Sequence, residues 1–128
     1  MTEKRYTKNG EWAAWDRDRL VVGLSRAAVE ALGEVTFVAA PIPGQKLSPG
    51  APSFTVEAVK AAADFETPVA GTVVLVNELL KASPEILNKD PENEGWIFVL
   101  VDADRTAWES LLDSSSYQTW TEGEGGAS

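Results

Sequence analysis

Phe54-Thr55-Val56-Glu57-Ala58-Val59-Lys60-Ala61-Ala62-Ala63-Asp64-Phe65 is the stretch that decides the fold of this chain. Phe54, Val56 and Ala58 alternate with Thr55, Glu57 and Val59, which is the period of a strand running up to Lys60. A returning strand is expected over Phe65 to Pro68. One lysine therefore falls between two strand-like runs, with small apolar residues around it, Glu57 three places before it and Asp64 four after. A hairpin of this kind presents a primary amine to another protein. What can be attached to that amine matters more than its charge.

Working outward, Tyr6 to Leu24 reads as two short strands joined by a turn, with turn residues at Asn9-Gly10 and Asp16-Arg17-Asp18-Arg19. Ser25 suits the cap of a helix over Arg26 to Leu32, with Gly33 as its left-handed stop. Glu34 to Ala40 returns to strand chemistry, and Pro41 to Gly44 and Lys46 to Gly50 read as two turns. Beyond the hairpin come a bend at Val69-Ala70-Gly71, a β-branched strand Thr72 to Val76, and a helix Glu78 to Ala82 capped by Asn77. A polar loop, Asn88 to Glu94, leads to a strand from Trp96 to Val101. Asp104 suits the cap of a C-terminal helix with Trp108, Leu111 and Leu112 on one face. Residues 1–120 are expected to form a single domain, and the Gly/Glu-rich 121–128 a disordered tail. Many short strands between Pro/Gly turns predict a mainly β sandwich or flattened barrel with short peripheral helices.

Composition narrows the chemistry. The 128 residues suffice for one modest core. Acidic residues outnumber basic ones by 20 to 11, for a net charge of −9, and the basic residues are scattered, which argues against nucleic acid as a partner. No apolar run is long enough to span a bilayer, and the first six residues do not read as a signal peptide, so the expectation is a cytoplasmic protein with no membrane partner. The chain has no cysteine and no histidine. It lacks thiol chemistry of its own, the commonest general base and the commonest metal ligand. Any redox or group-transfer role requires an added cofactor.

Several ordered blocks resemble the H protein of the glycine cleavage system, within the lipoyl-carrier superfamily. They are Tyr6-Thr7-Lys8 with Glu11-Trp12, Val22-Gly23-Leu24, Ala31-Leu32-Gly33-Glu34, Val56 to Ala61, Pro68 to Gly71, Val76-Asn77-Glu78, Ser83-Pro84-Glu85, Asn88, Asp90-Pro91 and Glu94-Gly95-Trp96. The resemblance implies a flattened β-barrel of the lipoyl/biotinyl type, built of sandwiched hairpins with short helices and a C-terminal helix. It implies lipoic acid in amide linkage to Lys60, attached by a lipoate ligase or lipoyltransferase. In that family the arm takes an aminomethyl group from a pyridoxal-phosphate glycine decarboxylase. It then visits a folate-dependent aminomethyltransferase and a dihydrolipoyl dehydrogenase. The carrier is thus a shuttling substrate and not an enzyme. Glu57 and Asp64 become candidates for ligase or partner recognition, and Glu11 for a cleft that shelters the loaded arm. Trp12 and Trp96 read as packing residues, and the acidic loop Asp90 to Glu94 as solvated.

The chain also departs from the family. Gly10 stands where histidine is usual before Glu-Trp, Glu92 and Asn93 replace an aromatic and a glycine, and Arg26 and Val29 alter the first helix. H-like lipoate-binding proteins that serve a heterodisulfide-reductase-like complex in sulfur oxidation use the same lysine, and this is the alternative function. A scaffold that has lost its modification is a third reading. A biotinyl domain typically places methionines around its lysine, and valine and alanine stand there in this chain.

Overall fold

The computed structural model describes residues 3–123. Ten strands alternate with five short helices: β1 (Lys4–Tyr6), β2 (Glu11–Asp16), β3 (Arg19–Leu24), α1 (Arg26–Leu32), β4 (Val35–Ala39), β5 (Lys46–Leu47), β6 (Phe54–Ala58), β7 (Ala62–Phe65), β8 (Gly71–Val76), α2 (Leu79–Ala82), α3 (Ile86–Lys89), β9 (Phe98–Val101), α4 (Arg105–Glu109), β10 (Leu112–Asp113) and α5 (Ser114–Gly123). Seven strands form one sheet in the order β10-β1-β2-β3-β9-β8-β5, and three form a second, β4-β6-β7. The expected mainly β, flattened architecture with a C-terminal helix is what the chain adopts, as two sheets without a closed barrel.

The core lies between the sheets. Leu20, Val22, Phe98, Leu100 and Val73 from the large sheet meet Val38, Phe54, Val56 and Phe65 from the small one. Phe54 packs edge-on to Phe98 at 5.5 Å and stacks on Phe65 at 5.4 Å. This is the alternation read from the sequence, with Phe54 and Val56 inward and Glu57 exposed. A second, smaller cluster on the outer face of the large sheet joins Tyr6, Trp12, Ala14 and Tyr117, with the two tyrosine rings stacked at 4.5 Å.

Local signals place α1 correctly. The Ser25 hydroxyl accepts from the Ala28 N–H at 3.1 Å, and Gly33 ends the helix at φ +88°. Other segments differ from the sequence expectation. Residues 6–24 belong to three strands, because both Asn9-Gly10 and Arg17-Asp18 turn the chain. Lys46–Leu47 is not turn but a two-residue strand, held by pairing with Thr72 and Gly71 of β8. The returning hairpin strand is Ala62–Phe65, so it ends where it was expected to begin. Asp104 does cap a helix, accepting from the Thr106 N–H at 3.0 Å, but that helix stops at Glu109. Leu112 leaves it to pair with Tyr6, and α5 then runs through 121–123, inside the span expected as tail. Residues 124–128 of that span lie outside the described residues.

Gly10 has a specific structural reason. Its φ is +103°, and a Cβ there would stand 2.6 Å from the Ala28 Cβ and 3.3 Å from the Ser25 and Tyr117 hydroxyl oxygens. The family's usual histidine has no room unless α1 moves. Gly10→Ala is expected to destabilise the fold by about 2–4 kcal/mol through overpacking and backbone strain, measured as a lower denaturant midpoint; an unchanged midpoint would contradict the close docking of α1.

The tyrosine pair sets an alkaline limit. Burial, a hydrogen bond to Glu92 and its negative charge push the Tyr6 phenol well above the ordinary range, and burial raises Tyr117 as well. A phenol raised in the folded state stabilises fully below its unfolded value of about 10, and that stabilisation is lost as pH rises beyond it. Chemical denaturation as a function of pH should therefore show stability falling above about pH 10. Tyr6→Phe should make that fall shallower.

Candidate functional site

β6 and β7 pair from Phe54↔Phe65 to Glu57↔Ala62, and the Ala58 N–H closes the tip by donating to the Ala61 carbonyl at 2.7 Å. Lys60 sits at this tip. Neither it nor Val59 has a positive φ, so the turn forms without glycine. Among the described residues, the Lys60 amine takes part in no ion pair or side-chain hydrogen bond. Its neighbours Val59, Ala61 and Ala62 are exposed and small, leaving the amine open to approach. A fully extended lysine needs only that clearance to accept a long acyl chain. The arrangement fits a covalent lipoyl group.

The flanking carboxylates differ in their engagement. Glu57 is exposed, and only its backbone carbonyl is used, by the Thr36 hydroxyl at 3.1 Å. Asp64 is also exposed and accepts from the Thr55 hydroxyl across the ladder at 2.6 Å. Both lie on the outer face of the small sheet, Glu57 beside Phe37, which is itself 49% exposed.

Glu11 stands apart from these. It is only 1% exposed, and both oxygens of its carboxylate accept hydrogen bonds inside the protein. One oxygen accepts from the Thr7 hydroxyl and the other from the Glu66 N–H at 3.0 Å. Glu66 follows β7 directly, so Glu11 ties the large sheet to the root of the lysine hairpin. Trp12 is buried as expected, with its indole N–H donating to the Pro91 carbonyl at 3.2 Å.

The acidic loop is not merely solvated. Glu92 accepts from the Tyr6 hydroxyl at 2.7 Å and from the Arg26 N–H at 3.0 Å, with the Lys4 amine 3.9 Å away. Sequence reasoning did not foresee this, because all three partners lie more than 60 residues away. The cavity of about 530 Å³ lined by Lys4, Trp12, Trp96 and Glu92 includes none of the hairpin residues. The candidate lysine therefore stands on an exposed tip, apart from this cavity.

The model of the glycine cleavage H-protein matches residues 4–124. The chain belongs to the glycine cleavage H-protein family. It is similar to the glycine cleavage system H protein of Thermotoga maritima, 42% identical over 118 residues, covering 92% of this chain and 95% of that one. The Thermus thermophilus H protein is 42% identical over 122 residues, with 95% of each chain covered. The crystal structure of the glycine cleavage system H protein from Mycobacterium marinum superposes with a TM-score of 0.83 at 31% identity, covering 94% of this chain and 97% of that one. These relatives do not favour the sulfur-oxidation alternative. Among the described residues, no helix of this H-protein fold is long and apolar enough to cross a membrane.

Because Lys60 is exposed and its amine makes no ion pair or side-chain hydrogen bond among the described residues, Lys60→Arg should leave the unfolding free energy within about 0.5 kcal/mol of the parent. Unfolding at markedly lower denaturant would contradict the exposed-tip geometry.

Proposed function

We propose that this protein carries a lipoyl group on Lys60 and serves as the mobile substrate of the glycine cleavage enzymes. The observation behind the reading is an unengaged lysine amine at the tip of an exposed hairpin, in a chain of the H-protein family. When bound, the lipoyl dithiolane supplies a disulfide able to take up a carbon-bearing group and two electrons. The chain's own residues do the rest by presentation. The Lys60 ammonium gives up one proton to become a nucleophilic amine, which attacks an activated lipoyl carbonyl. The amide N–C bond forms, the nitrogen releases a second proton to solvent, and the activating group leaves with the electron pair of its broken bond. Acylation removes the ammonium charge, so the side chain enters an apolar active site without burying an unpaired cation. Ala58, Ala61, Ala62 and Ala63 keep the tip slender. Glu57 and Asp64 offer negative charge on the same face for a ligase or partner with basic residues around its entrance. Glu11 would serve the arm by holding Glu66 at the hairpin root.

The partners in this reading are a lipoate ligase or lipoyltransferase, then the decarboxylase, aminomethyltransferase and dihydrolipoyl dehydrogenase of glycine cleavage, all in the cytoplasm. The protein acts as a carrier and not as an enzyme.

Incubation with a lipoate ligase, lipoate and ATP should add the mass of one lipoyl amide, mapped by peptide analysis to Lys60 and absent from Lys60→Arg. The lipoylated protein should then support glycine–bicarbonate exchange with a glycine decarboxylase. An unmodified Lys60, beside a known lipoyl domain that is modified in the same tube, would sink the carrier reading. Full lipoylation without exchange would sink the glycine cleavage assignment alone.

A further inference from the structure

We infer that Asn88, on α3, is a positioning residue that fixes the backbone beside Lys60. Its functional consequence rests on Lys60 being the acylated residue; its geometry does not. The two ends of the Asn88 amide grip the peptide groups on either side of Glu34. Its Nδ2–H donates to the Gly33 carbonyl at 2.8 Å, and its Oδ1 accepts from the Val35 N–H at 2.9 Å. The pairing fixes which end is which, since an N–H must face the carbonyl. Between them, the Glu34 carbonyl accepts from the Val59 N–H at 3.0 Å. Val59 immediately precedes Lys60, so one side chain 28 residues beyond the lysine holds the acceptor that restrains the tip.

The corner needs such a hold. Gly33 is at φ +88°, outside regular helix and strand, and the β4–β6 ladder shifts register between Val35 and Phe37. Residues 33 and 34 thus precede the first ladder pair, Val35↔Ala58, and the register shift follows that pair at once, so the strand holds this corner at a single point. Without the Asn88 amide, the Gly33 carbonyl and Val35 N–H lose their protein partners. The Glu34 carbonyl is then free to drift, and the Val59 N–H loses its acceptor. The Glu11 link at Glu66 restrains the hairpin root and leaves the tip unconstrained.

A substrate protein with a fixed tip loses less conformational freedom when it docks. Loosening the tip therefore weakens docking more than the acyl transfer that follows. In ligase-catalysed lipoylation, Asn88→Ala should raise the KM for the protein by about fivefold, the scale of one net hydrogen bond, with kcat within about twofold. Amide hydrogen exchange supplies the readout that does not depend on acylation. In the parent protein the Val59 amide should exchange about tenfold or more slowly than the neighbouring Lys60 amide. In Asn88→Ala that difference should collapse, while Val22 in β3 changes only in step with global stability. Asn88→Asp keeps the acceptor for Val35 but loses the donor to Gly33, and should move both readouts in the same direction.

A Val59 amide as fast as that of Lys60 in the parent, or still protected in Asn88→Ala, would overturn the inference. Protection lost with KM unchanged would overturn the positioning role. A parent protein that is not lipoylated at all would sink the carrier reading, while exchange at Val59 would still decide whether Asn88 holds the tip.

Discussion

Phe54 resting edge-on against Phe98 at 5.5 Å is a central contact in the core that joins the small sheet to the large one. Truncating a buried phenylalanine typically costs about 3–5 kcal/mol, which is a large part of the roughly 5–15 kcal/mol by which a domain is stable. The contact anchors the strand that leads to the site. Phe54 opens β6, and four residues later the same strand reaches the tip. With Phe54 and Val56 committed to the core, Glu57 must face out and the next turn must protrude. The lysine is exposed because its strand is anchored at the other end.

Protrusion creates a second requirement. A two-stranded hairpin alone is marginal in water, so an exposed tip needs fixing from outside its own ladder. The chain supplies this with polar groups and not with apolar bulk. Glu11 takes the Glu66 N–H at the root, and Glu34 takes the Val59 N–H near the tip. Additional apolar packing at the tip would have covered the amine or enlarged the profile that partners must admit. Backbone hydrogen bonds restrain position while adding no side-chain volume.

What was legible in the sequence follows the range of the forces involved. Helix α1 was readable because its determinants, the Ser25 cap and the Gly33 stop, lie within the segment they control. The inward alternation of Phe54, Val56 and Ala58 was likewise local, as was the placement of Lys60 between two strands. Lys46–Leu47 was unreadable as strand because two residues carry no period, and only β8 makes them one. Trp108, Leu111 and Leu112 fit a helical face, yet Leu112 gains more by pairing with Tyr6 across more than 100 residues. For Glu11 the sequence pointed to a residue near the arm. It could not show that Thr7 and Glu66 already occupy its carboxylate. Asn88 stood out only as one block of the family resemblance; its role was not legible, since an asparagine in a polar stretch is ordinary until its two partners are known.

Gly10 shows how a departure from the family is accommodated by the helix that packs on it. Loss of the usual histidine lets α1 settle against the β1–β2 turn, where the Ser25 N–H donates to the Gly10 carbonyl at 2.7 Å and the Ser25 hydroxyl meets the Tyr117 hydroxyl at 2.7 Å. Arg26, a second departure, enters the same corner. Its N–H donates to Glu92, a third, and its guanidinium to the Lys89 carbonyl at 3.0 Å. Three substitutions that look unrelated along the chain therefore meet at the N-terminal end of α1. The opposite end of that helix is Gly33, next to Glu34 and the lysine hairpin. The altered corner and the carrier tip lie at opposite ends of one seven-residue helix. The two ends are also joined through α3, because Lys89, whose carbonyl accepts from Arg26, is the chain neighbour of Asn88, whose amide holds Gly33 and Val35. A change at the corner therefore reaches the anchorage of the tip through one short helix.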